Sequence, residues 1–116
     1  GNVMAYTNRG NAYAVLGENS LAIEDYNEAI RREPDCVTAY YNRGNLYNHL
    51  GQDKSALENF SKVISLRPDL AIAYIRRGII YINQGENNRG CLDAKKSCEL
   101  GNCVLLDAVR SRGICR

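Results

Sequence analysis

A chain of 116 residues with 45% hydrophobic and 24% charged side chains has the size and composition of one folded domain and not of a disordered segment. The 15 Lys and Arg against 13 Asp and Glu leave a formal charge of +2, with no basic run to track a phosphate backbone, so nucleic acid is not an expected partner. No stretch nears about 18 consecutive apolar residues. Gly1-Asn2-Val3-Met4 lacks the charged and apolar regions of a signal peptide, so no membrane partner is expected, although a leader removed earlier is compatible with the sequence.

The first segment, Ala5-Tyr6-Thr7-Asn8-Arg9-Gly10-Asn11-Ala12-Tyr13, puts Tyr6, Gly10 and Tyr13 at helical spacing on one face. A neighbouring helix can approach closely at Gly10. Gly17 suits the left-handed residue that closes this helix, and Asn19 suits the N-cap of the next. Ala22, Tyr26, Ala29 and Ile30 form the apolar stripe of that second helix, which Pro34 ends, since proline lacks the N–H donor and disfavours helical geometry in the residue before it.

The opening string then returns 34 residues later as Ala39-Tyr40-Tyr41-Asn42-Arg43-Gly44-Asn45-Leu46-Tyr47, and again as Ala73-Tyr74-Ile75-Arg76-Arg77-Gly78-Ile79-Ile80-Tyr81. Gly17, Gly51 and Gly85 keep the same offset, as do Asn19, Asp53 and Asn87. The third copy departs in its second helix, where Gly90, Ala94 and Ser97 stand for Ala22, Tyr26 and Ala29, and Asn102 stands for the proline. Val104, Leu105, Leu106, Ala108 and Val109 then suffice for one short amphipathic helix, read as a cap over the apolar face of the last repeat.

A helix pair of 34 residues with an aromatic, Gly and Tyr in its first helix and Ala, aromatic and Ala before Pro in its second resembles the tetratricopeptide repeat family. The resemblance implies an all-α fold, an α-solenoid of antiparallel helix pairs with about seven helices. It predicts a single domain over 1–116, with repeat 1 at about 3–36, repeat 2 at 37–70, repeat 3 at 71–104 and a capping helix at about 103–112.

The resemblance also implies a protein-interaction module that holds a peptide or protein segment along the first helix of each repeat, on the concave side. The residues at those positions are Asn8, Asn11, Asn42, Asn45 and Arg76, with Thr7, Tyr41 and Ile72 nearby. Asparagine offers donors and an acceptor to an extended backbone, and arginine can grip a carboxylate through two parallel bonds. Some family members hold a chaperone's carboxyl terminus in a two-carboxylate clamp of lysines, asparagines and an arginine. Asn11, Asn42 and Arg76 match that clamp, but Thr7 and Ile72 occupy the lysine positions, which counts against an acidic tail. Ile72, Ile75, Ile79 and Ile82 suggest instead an apolar share of the groove in repeat 3. Solvated helix-surface residues carried along by duplication are the plain alternative for the asparagines. Arg9, Arg43 and Arg77 precede the packing glycines and are expected to pair with acids such as Asp25 or Asp93.

Four of the five cysteines, Cys91, Cys98, Cys103 and Cys115, fall in the last quarter of the chain. Cys91 and Cys98 cannot pair within one regular helix, because seven residues rise about 10 Å while bridged Cα atoms lie within about 7 Å. A cap folding back after Gly101 allows Cys98–Cys103 and Cys91–Cys115 disulfides, which favour an exported, oxidising setting. Buried free thiols and a four-thiolate zinc site remain open, the latter without any Cys-x-x-Cys spacing. Cys36 is left over. His49 suits the negative end of a helix dipole, and no phosphate loop, His-Glu-x-x-His string or activated nucleophile is present, so neither enzyme activity nor a cofactor is expected. A self-associating scaffold and a redox or metal module at the cysteines are the other classes of function compatible with the chain.

Overall fold

The computed structural model describes residues 2–115, and among them the secondary structure is seven α-helices in sequence: α1 (Asn2–Val15), α2 (Asn19–Arg32), α3 (Val37–His49), α4 (Asp53–Leu66), α5 (Ala71–Asn83), α6 (Asn87–Glu99) and α7 (Val104–Ser111). The fold is an all-α solenoid of helix pairs. The chain divides into two compact units, Gly1–Lys62 and Val63–Arg116, whose boundary falls inside α4.

In the first unit α1 packs on α2, and α2 on α3. The close approach at Gly10 is real: a Cβ there would lie 2.9 Å from Tyr26 Cε1 and 3.2 Å from the Ala22 carbonyl oxygen. Gly17 has φ +79°, and the amides of Gly17 and Glu18 donate to the carbonyls of Ala14 and Tyr13, which closes α1 in a left-handed turn. The N-cap of α2 is one residue earlier than the asparagine pattern suggests. Helical geometry begins at Asn19, Glu18 takes the cap position, and no side chain caps the helix. Leu50, Gly51 and Gln52 repeat the same bonding one unit on. At its far end α2 stops at Glu33, whose backbone is extended before Pro34.

The α2 stripe does the packing. Ala22 and Tyr26 form a cluster with Leu46, bordered by Tyr13, Ala14, Ile23 and Leu50. Ala29 forms another with Cys36 and Ala39, bordered by Val3, Tyr6 and Ile30. Phe60 of α4 is fully buried, with its ring edge-on to Tyr41 at 5.9 Å.

In the second unit α5 packs on α6, and α6 on α7. The small residues of repeat 3 now have a reason. A Cβ at Gly90 would sit 2.6 Å from Ile82 Cγ1, so that glycine makes room for Ile82. Ala94, standing where repeat 1 has Tyr26, leaves space for α7, and it is buried with Ile75, Leu105, Leu106 and Val109. Ser97 is buried too, with its hydroxyl donated to the Ala94 carbonyl at 2.8 Å.

The four C-terminal cysteines form two disulfides within this unit. Cys91 on α6 is bonded to Cys115 beyond α7, with Cα atoms 5.4 Å apart. Cys98 near the end of α6 is bonded to Cys103 at the start of α7, with Cα atoms 4.0 Å apart. Cys36 is a free, buried thiol.

Candidate peptide-binding site in the first unit

Asn42, Asn45 and His49 lie at i, i+3 and i+7 on α3, so one helix face carries all three. Across from them stand Asn11, Ala14 and Val15 of α1. Together with Leu46 and Tyr26 they enclose an open cavity of ≈ 330 Å³. Tyr26 and Leu46 are buried at its base, so α2 and the inner side of α3 fix the floor while the amides stand on the walls.

One hydrogen bond ties floor to wall. The Tyr26 hydroxyl donates to Asn11 Oδ1 at 2.5 Å, which orients the Asn11 amide. Burial pushes the Tyr26 phenol above its ordinary range, and the nearby Asp25 carboxylate adds to this, so the neutral donor persists. Asp25 is itself buried, and it accepts two bonds from Arg9, Nε to Oδ2 at 2.9 Å and Nη2 to Oδ1 at 2.7 Å. That pairing raises the Arg9 guanidinium well above its ordinary range. The cavity lining contains neither lysine nor arginine.

The other residues singled out from the sequence fall elsewhere. Asn8 is exposed on α1 and takes no part in this cavity. Arg76 is exposed on α5, in the second unit. Thr7 is 2% exposed and donates its hydroxyl to the Val3 carbonyl at 2.9 Å; it borders a separate cavity with Val3, Met4, Glu33, Cys36 and Thr38 and does not line the asparagine-walled one. The isoleucines of repeat 3 also need correcting as groove residues. Ile75 is buried, and Ile72, Ile79 and Ile82, each partly buried, pack against the cluster that α7 completes, so the cap takes part of their apolar surface. His49 does sit in the last turn of α3. Sequence reasoning missed its place on the cavity wall, although its spacing from Asn42 and Asn45 carried the signal.

Family models described as TPR repeat and tetratricopeptide repeat match residues 10–51 and 37–70, and together they span more than half of the chain. The chain belongs to the tetratricopeptide-repeat family. Solved structures agree on the fold. The first TPR of Spaghetti (RPAP3), bound to the HSP90 peptide SRMEEVD, is similar with TM-score 0.85 at 21% identity, over 95% of this chain and 89% of that one. MamA is similar with TM-score 0.83 at 29% identity, over 85% of this chain and 58% of that one. The P58(IPK) TPR domain is similar with TM-score 0.85 at 26% identity, over 97% of this chain. This tetratricopeptide-repeat chain therefore spans little more than half of MamA and 32% of the P58(IPK) chain. No curated protein matches it in sequence.

Proposed function

We propose that this tetratricopeptide-repeat chain is a protein-interaction module whose first unit holds an extended, uncharged peptide segment over the α1–α3 cavity. The carrying observation is the cavity itself: a floor of Tyr26 and Leu46, walls of Asn11, Asn42, Asn45 and His49, and neither lysine nor arginine in the lining. An apolar side chain of the ligand would fill the floor while the asparagine amides bond its backbone. Two similar structures hold the HSP90 peptide SRMEEVD. For this chain the buried Thr7 and the lysine-free lining favour a neutral segment over an acidic tail. Asn8 and Arg76 lie outside this cavity, and an alanine variant of each tests whether it adds a contact of its own.

Partners captured from the native host by the wild-type chain supply the peptide to assay. Replacing Asn42 and Asn45 together by alanine is expected to weaken its binding at least tenfold, about 1.4 kcal/mol, with the thermal midpoint little changed. Unchanged affinity in a calorimetric titration would move the site elsewhere.

A second reading, self-association, is favoured by the face of α1 turned away from this cavity. At the 34-residue offset, Ala39 and Leu46 of α3 are buried and Leu50 packs against the α2 cluster, whereas Ala5 and Ala12 are exposed and Leu16 is 74% exposed. Static light scattering is expected to show a mass rising with concentration, and Ala12→Arg to hold the chain monomeric. A constant mass in the wild type would dispose of this reading.

A further inference from the structure

One residue before the buried glycine, each repeat carries an arginine: Arg9, Arg43 and Arg77. In repeats 1 and 3 an aspartate at i+16 fills its fork. Arg77 donates Nε to Asp93 Oδ2 at 2.9 Å and Nη2 to Asp93 Oδ1 at 2.8 Å, matching the Arg9–Asp25 pair. Repeat 2 breaks the pattern, because its i+16 residue is Asn59.

Asn59 supplies geometry without charge. Its Oδ1 accepts from Arg43 Nε at 2.8 Å, and its Nδ2 donates to the Ser55 carbonyl at 2.7 Å. The second contact of Arg43 is also a neutral amide, with Nη1 donating to Asn27 Oδ1 at 2.7 Å. Among the described residues, Arg43 forms no salt bridge. A guanidinium has five N–H donors in a planar fork, and these two bonds leave the Nη2 edge for an oxyanion. Arg43 stands 5.3 Å from the Tyr40 ring centroid, and Lys62 Nζ stands 5.9 Å from the same centroid.

We propose that Arg43 is a docking point for a carboxylate brought by a partner protein, the side chain of an Asp or Glu. The sibling repeats show which group answers this arginine, a carboxylate at 2.7 to 2.9 Å, and repeat 2 withholds it. This goes beyond the proposed peptide site. Arg43 lies two residues before Asn45, roughly 160° away around the helix, and its partners are on α2 and α4. It is therefore a second contact surface of opposite preference, acidic where the cavity is neutral.

The arginine Nε–Hε signals of isotope-labelled protein test this, with acetate and then inorganic phosphate added at constant ionic strength against chloride. Acetate is expected to move the Arg43 signal saturably while Arg9 and Arg77, whose forks are filled, stay still. Asn59→Asp restores the sibling aspartate and is expected to abolish the movement. Should that variant not fold, Arg43→Gln identifies the signal and is expected to lose the acetate-induced rise in thermal midpoint. The proposal is overturned if all three signals move together, if none moves, if Arg43 still responds in Asn59→Asp, or if Arg43→Gln keeps the full rise. A response to phosphate exceeding that to acetate would overturn the carboxylate assignment.

Discussion

Tyr26→Ala is expected to cost about 3–5 kcal/mol, the range for removing a buried aromatic ring from a packed core. Tyr26 is 1% exposed and lies against Ala22 and Leu46, and its ring is the surface that Gly10 allows α1 to approach. The hole left by truncation would be lined by two helices already in contact, so collapse into it is restricted. Urea unfolding measures the loss, and a change below about 1 kcal/mol would mean that the ring is not the keystone of this packing. Tyr26→Phe separates the hydroxyl from the ring and is expected to cost about 1 kcal/mol, the bond to Asn11. The phenol also sets a pH dependence. Its folded pKa lies above the ordinary 10.0, so the unfolded chain releases this proton first. The stability it contributes is whole below pH 10, and it is lost as pH rises through the raised folded value. Tyr26→Phe should lack that part of the alkaline decline.

The second large effect belongs to the disulfides. Cys91–Cys115 spans a sequence separation of 24, and replacing both cysteines by serine is expected to cost about 3 kcal/mol through the restored freedom of the unfolded chain. Cys98–Cys103 spans only 5 and is expected to cost about 2 kcal/mol. The loss should concentrate in α7, because Leu105, Leu106 and Val109 bury their surface only while that helix stays down. Hydrogen exchange resolved along the chain would show it: α7 amides should lose protection before those of α2. Denatured, unreduced protein should titrate a single thiol, Cys36, and five titratable thiols would mean that neither bridge exists in solution.

The helices and their pairing could be read from the chain because the signals are local and repeated. Glycines at an offset of 34 mark turns, Pro34 and Pro68 mark ends, and the stripe of Ala22, Tyr26 and Ala29 marks a buried face. What a single sequence cannot show is which neighbour covers a given face. Ile72, Ile75, Ile79 and Ile82 read as groove residues, and only the position of α7 assigns them to the cap. The resemblance puts Thr7 beside the groove, yet its hydroxyl bonds the Val3 carbonyl of its own helix. The cap position of α2 slipped by one residue because Glu18 and Asn19 compete for it and neither side chain makes the capping bond. Asn11, Asn42 and Asn45 line one cavity from two helices, whereas Asn8, only three residues before Asn11, does not line it.

The cap has a consequence for assembly. Among the described residues, Ala22, Tyr26 and Ala29 on α2 are buried, as are Ala56 and Phe60 on α4, and α7 lies over Ala94 of α6. Under the self-association reading, the exposed face of α1 meets the same face of a second copy. A two-fold contact of that kind is complete with two chains, whereas a head-to-tail contact propagates into rings or filaments. That pairing would stop at the dimer, and the bridges at both ends of α7 keep Leu105, Leu106 and Val109 covered within the chain.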